Sequence, residues 1–217
     1  MEIVYEDNHI IVVNKKAGEI VQGDKTGDKP IVEMLKEYLK EKYHKPGNVF
    51  CGVVHRIDRP VSGLVVFART SKALTRLNEM LRKGEIRKTY HALVEGRPKE
   101  PAATLENYLV SDGRINKTFI CDSATPEAKH AVLEYRTLEE LERYTLLEID
   151  LKTGRKHQIR AQLAGMGHPI KGDLKYGAKR SNKDGGISLT AARLEFTHPV
   201  SKEPLSFSVE IANAGRS

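Results

Sequence analysis

Short apolar runs of strand type outnumber amphipathic helical stretches in this 217-residue chain, and short polar connections join several of them. The first pair shows the pattern: Ile3–Tyr5 and Ile10–Asn14 read as strands, with Glu6–His9 as a hairpin connection. Further strand signals are Leu64–Ala68, Thr89–Val94, Ala131–Tyr135, Tyr144–Leu151, Leu189–Phe196 and Leu205–Ile211. Parallel strands need long crossovers, usually helical, so short links favour antiparallel pairing. The expected class is α+β, built on a mostly antiparallel sheet.

Helical periodicity is confined to three stretches. Ile31, Leu35, Leu39 and Tyr43 form one stripe. Ser71 is placed to cap a second helix that runs to Lys83 and ends at Gly84, with Leu74, Leu77 and Leu81 facing inward. Gln158–Met166 is the third, stopped by Gly167-His168-Pro169. Residues 22–30 form a turn-rich loop whose glycines lack phosphate-loop spacing. No repeat or clear linker appears. Pro98–Pro101 is the best break and reads as a loop between two halves of one sheet, so one domain over 1–217 is expected.

Composition narrows the functional classes. No apolar run has the length of a membrane helix, and no basic segment precedes an apolar one at the start, which argues against a secretory leader. Cys51 and Cys121 fit reduced thiols in the cytoplasm better than a disulfide framework or a zinc site. The net charge of +7 is moderate. Its clustering at Lys42–Lys45, Arg82–Lys88, Lys152–Arg160 and Lys171–Lys183 tips the balance slightly toward a nucleic-acid partner.

The chemistry centres on His55-Arg56-Ile57-Asp58-Arg59-Pro60-Val61-Ser62-Gly63. Arginines flank a carboxylate here, and nearby positive charge favours a charged carboxylate. Such a group can serve as nucleophile, base or anionic anchor. A kinase catalytic loop is excluded, since there the Asp directly follows the Arg, and no glycine-rich loop or Asp-Phe-Gly is present. Metal hydrolysis needs clustered ligands, whereas His55, His91, His157, His168 and His198 are scattered and read as hydrogen-bonding residues beside turns and strands. A nucleophile elbow at Ser62 lacks one of its glycines. What remains is a lone carboxylate, an aromatic strand at Lys88-Thr89-Tyr90-His91-Ala92, and arginines on a basic background. These suit an enzyme that extrudes a base from folded nucleic acid, and equally a non-catalytic RNA-binding domain.

Five segments together resemble the RluA-type family of RNA pseudouridine synthases. They are Asp7–Gly18, His55–Gly63, Lys88–Ala92, Thr153–Arg160 (Thr-Gly-Arg-x-His-Gln-Ile-Arg) and Gly167–Asp173 (Gly-His-Pro-Ile-x-Gly-Asp). The resemblance implies an antiparallel sheet with flanking helices and a catalytic cleft across its middle. It implies isomerisation of a uridine in structured rRNA or tRNA, with no metal or organic cofactor. Asp58 corresponds to the catalytic aspartate, Tyr90 to the tyrosine stacked on the target base, and Arg160 to the arginine that pairs with the catalytic carboxylate. Arg56 corresponds to the arginine that enters the RNA helix, and His55, Arg155, Lys156 and His157 fall among the RNA-facing positions. Ile57, Val61, Lys156 and Gln162 depart from the residues common there. The expected protein is a monomeric cytoplasmic enzyme of the catalytic domain alone, without an S4-type RNA-binding domain. Arg59 receives no role. The competing expectation is an RNA-binding or ribosome-associated protein that keeps the fold without the chemistry.

Overall fold

A computed structural model describes residues 1–210. In chain order the elements are β1 (Glu2–Glu6), β2 (Ile10–Lys15), α1 (Ile31–Lys42), β3 (Gly52–Val53), β4 (Ser62–Ala68), α2 (Ser71–Lys83) and β5 (Arg87–Glu95). Then follow β6 (Ala102–Asp112), β7 (Lys117–Cys121), β8 (Lys129–Glu140), β9 (Tyr144–Leu151), α3 (Gln158–Gly165), β10 (Leu189–Thr197) and β11 (Pro204–Ser208). A 3-10 turn covers Leu174–Tyr176. The described residues divide into two compact units, 1–87 with 191–210, and 88–190.

In the first unit β2 pairs antiparallel with β1 and with β4, and β10 with β11. All seven residues of β4 are buried, which explains why Leu64–Ala68 reads as a continuous apolar run rather than an alternating one. Ile10, Val12, Leu64 and Val66 form a core with Ala73 and Leu77 of α2 and Leu194 and Phe196 of β10. Leu74 and Leu81 are partly buried against it. Gly63 has φ +115, and a Cβ there would lie 2.4 Å from the Ala191 carbonyl oxygen. Only glycine lets β4 start so close to that backbone.

The second unit orders its strands β5-β9-β8-β6-β7, each pair antiparallel. Helix α3 buries six consecutive residues, Gln158 to Leu163, and its Ala161 packs with Leu109, Ala131 and Tyr176.

The expected α+β class with antiparallel pairing is observed. Several boundaries differ. The cap of α2 is Thr70, whose side chain accepts from Ala73 N–H at 3.1 Å, rather than Ser71. Thr70 is extended while Ser71 is already helical, and a cap needs the non-helical residue. Tyr43 closes α1 as its C-cap and is exposed. The strand expected over 205–211 is β11; Ile211 lies outside the described residues. The β6–β7 hairpin has no counterpart among the sequence expectations.

Candidate active site

Asp58 belongs to the first unit. The chain leading to it alternates: His55 and Ile57 are buried, Arg56 is exposed and Asp58 is partly exposed. His55 Nε2 accepts from Val66 N–H at 3.2 Å, tying the approach to β4. The Asp58 carbonyl accepts from Val61 N–H at 3.0 Å, which closes a tight turn and leaves the carboxylate at its entry. Val61, which stands where the family commonly has Thr, is buried, so the methyl in place of the hydroxyl packs inward.

A lysine supports this turn from within. Lys15 at the end of β2 is fully buried, and its ammonium donates to the Lys16 and Arg59 carbonyls, each at 3.0 Å. Burial, the dominant cause, pulls its pKa down to about 8; the charges of Glu19 and Asp58 oppose this and that of Arg59 adds to it. Two carbonyls thus hold one buried cation, in the field of two carboxylates. Sequence reading passed over Lys15, although a lysine closing a mostly apolar strand was a usable signal.

Tyr90 and Arg160 belong to the second unit. Tyr90 sits on β5 opposite Ile149 of β9 and is buried. Half-buried Lys88, two residues earlier, has its pKa lowered by burial. Its ammonium lies next to Gly154, 3.5 Å from where a Cβ there would stand. The strand motif and the Thr153–Arg160 motif therefore meet at Lys88.

The Thr153–Gln158 turn is held by its own side chains. Gln158 Oε1 accepts from the Thr153 hydroxyl at 2.8 Å and from Arg155 N–H at 3.0 Å, while its Nε2 donates to the Val132 carbonyl at 3.1 Å. Val132 N–H in turn donates to the Thr153 hydroxyl at 2.9 Å. His157 caps α3 in the left-handed region at φ +51, which is unfavourable for a residue with a Cβ. Its Nδ1 lies 2.8 Å from the Tyr176 hydroxyl, which also accepts from Thr118 N–H at 2.8 Å. Burial, the largest cause, raises the Tyr176 pKa.

Arg160 is buried one turn into α3. Its guanidinium forks onto Asp173, Nε to Oδ2 at 2.7 Å and Nη2 to Oδ1 at 2.9 Å, and stacks over the Tyr176 ring at 4.9 Å. Asp173 reaches this place because residues 168–171 run beside β5. His168 Nδ1 bonds to the Glu95 carbonyl, Ile170 bridges Val94, and Lys171 N–H donates to the Leu93 carbonyl. The last two sequence motifs are thus one assembly joined through Arg160 and Asp173. Asp173 stood in a quoted motif, but nothing local marked it as the partner. Tyr176 gave no signal at all.

The remaining RNA-facing candidates differ in accessibility. Arg56, Arg155 and Lys156 are exposed, with Arg155 Nε donating to the His130 carbonyl at 2.8 Å. His55 and His157 are buried and committed to the bonds described above. Gln162 is buried too, its amide donating to Asn107 Oδ1 at 2.8 Å and the Leu105 carbonyl at 3.1 Å. Among the described residues no group of three or more His, Cys, Asp or Glu could hold a metal ion, and no helix is long and apolar enough to cross a membrane.

The fold is shared with a human protein of known structure. The structure of human RNA pseudouridylate synthase domain containing 4 superposes with a TM-score of 0.80 at 22% identity, covering 98% of this chain and 89% of that one. In sequence, residues 9–165 match the RNA pseudouridylate synthase family model, a span that includes Asp58, Tyr90 and Arg160. The chain belongs to that family. It is 34% identical over 221 residues to ribosomal large subunit pseudouridine synthase D of Vibrio cholerae, covering 95% of this chain and 66% of the relative. It is 34% identical over 229 residues to tRNA pseudouridine synthase C of Vibrio parahaemolyticus, covering 97% and 90%. The chain spans about two thirds of the length of the first relative.

Proposed function

We propose that this protein converts a uridine in structured rRNA or tRNA to pseudouridine, as one monomeric cytoplasmic catalytic domain over 1–217 with Asp58 as its catalytic carboxylate. The observation that carries the reading is the family match across residues 9–165, with Asp58 held at the entry of a turn that buried Lys15 and His55 brace. In the reaction the N1–C1′ bond breaks, the uracil turns without leaving, and C5 bonds to C1′. Positive charge develops on the sugar and negative charge on the base. A carboxylate at Asp58 answers the first by attacking C1′ or by taking the C2′ proton. Arg160, itself held by Asp173, is assigned to pair with that carboxylate, and Tyr90 to stack on the base. Arg56, His55, Arg155, Lys156 and His157 are assigned to the RNA.

The test is tritium release from RNA labelled at uridine C5, because C5 loses its hydrogen only when the new bond forms. Wild-type protein should release tritium, and Asp58→Asn should release none while binding the same RNA. Turnover by Asp58→Asn would sink the assignment. Absence of turnover by wild type on tRNA and large-subunit rRNA transcripts would sink the function.

A further inference from the structure

Arg59 follows Asp58 directly, and one segment, residues 15–28, holds it at both ends. Its carbonyl accepts from Lys15 Nζ at 3.0 Å and from Gly18 N–H at 2.8 Å. Its guanidinium donates to Asp28 Oδ2 at 2.6 Å, to Asp24 Oδ2 at 3.2 Å and to the Thr26 hydroxyl at 2.6 Å. The two ends differ in kind. The backbone end is anchored by a buried lysine, whereas every group at the guanidinium end is solvent-accessible.

The loop that supplies those carboxylates is closed at its base and tied together within. Its base is closed where Ile31 N–H donates to the Ile20 carbonyl at 2.8 Å and Val32 N–H to the Val21 carbonyl at 3.3 Å. Residues 22–29 between them are all exposed. Inside the loop Thr26 draws both aspartates together: its amide donates to Asp24 at 2.9 Å, and its hydroxyl bonds Asp24 and, at 3.2 Å, Asp28. These hydrogen bonds and the Arg59 guanidinium hold both carboxyls below their ordinary range, so the loop carries two negative charges at neutral pH.

Two carboxylates held on the residue next to Asp58 repel a polyanion that must approach Asp58. The guanidinium they occupy has the planar fork that binds phosphate as well as it binds carboxylate. Exposed pairs of this kind are weak because water screens them, so an incoming phosphate displaces them at little cost. We propose that Arg59 is an RNA-backbone contact kept occupied by Asp24 and Asp28 in the free protein, and that RNA binding at Asp58 exchanges these carboxylates for a phosphate. The inference rests on the RNA-isomerase reading of Asp58.

The experiment measures affinity of the full chain for end-labelled, unmodified tRNA and large-subunit rRNA transcripts across a KCl series. Asp24→Asn/Asp28→Asn should bind about three- to tenfold more tightly than wild type. Its log–log salt slope should also steepen, because in wild type the two carboxylates displaced from Arg59 take cations back up as the phosphate binds. Adding Arg59→Gln to that variant should erase both changes. A gain that survives Arg59→Gln would reduce the effect to long-range charge and overturn the exchange. Unchanged affinity and slope in the double variant would overturn it equally. Thermal midpoints near wild type for all variants identify any change as one of binding rather than folding. Tritium release by wild type on the same transcripts is scored separately, so its absence counts against the isomerase and not against the phosphate exchange.

Discussion

Two arginines in this protein meet carboxylates under opposite conditions. The side chains of Arg160 and Asp173 are 6% and 2% exposed, whereas those of Arg59, Asp24 and Asp28 are 35%, 43% and 60% exposed. The first pair is bidentate and backed by an aromatic face; the second is fed by a loop with no ladder of its own. In water an ion pair gains little, while a buried cation deprived of its partner is costly. One arginine is therefore a permanent part of its helix, and the other is available for exchange.

Removing the buried carboxylate should break this contrast most visibly. Asp173→Asn keeps the shape but withdraws the charge from under Arg160, with an expected loss of about 3–5 kcal/mol in denaturant unfolding. Arg160→Met/Asp173→Leu should lose clearly less than the sum of its single changes, because the pair acts as a unit. A sum that merely adds would show that the fork carries no coupling.

Lys15 is the intermediate case, a buried cation held by carbonyls as well as by charge. Its folded pKa of about 8 lies below the 10.5 of an unperturbed lysine, so between those values the unfolded chain binds more protons. Stability then rises with pH across that window, since the cost of burying the charge is present below about pH 8 and is relieved above it. The shift corresponds to roughly 3 kcal/mol. The penalty for Lys15→Met, measured by urea unfolding, should therefore be larger at pH 9.5 than at pH 7. A penalty that is flat or falls with pH would mean that burial does not lower the Lys15 pKa and that the lysine keeps its proton across this window. At the small end, Arg59→Gln should shift the thermal midpoint by no more than about two degrees. A larger fall would make Arg59 structural and remove the contrast.

How much of this was legible in the sequence varies with the physics behind each part. Strands β2 and β4 are buried on both faces, so their apolar runs stand out from turn-rich neighbours. Strand β6 buries only Leu109, and β7 leaves Phe119 and Ile120 exposed, so neither displays the contrast that marks a strand. Asp58, Tyr90 and Arg160 were named from motifs, but the fork between Arg160 and Asp173 spans 13 residues and a loop, a spacing with no local geometry to read. Arg59 was passed over because its partners lie more than 30 residues earlier in a stretch that reads only as a turn-rich loop.

The strand pairing of the first unit also bears on the order in which the chain is made. Residues 88–190 are continuous, so the second unit is available to fold as soon as they have emerged. The first unit instead needs β10 and β11, and His198 reaches back 191 residues to bond Asp7 at 2.8 Å. During synthesis its early strands must wait for their last strand partners. The half that bears Asp58 is therefore the later one to close, its last two strands still to come when residues 88–190 are already whole.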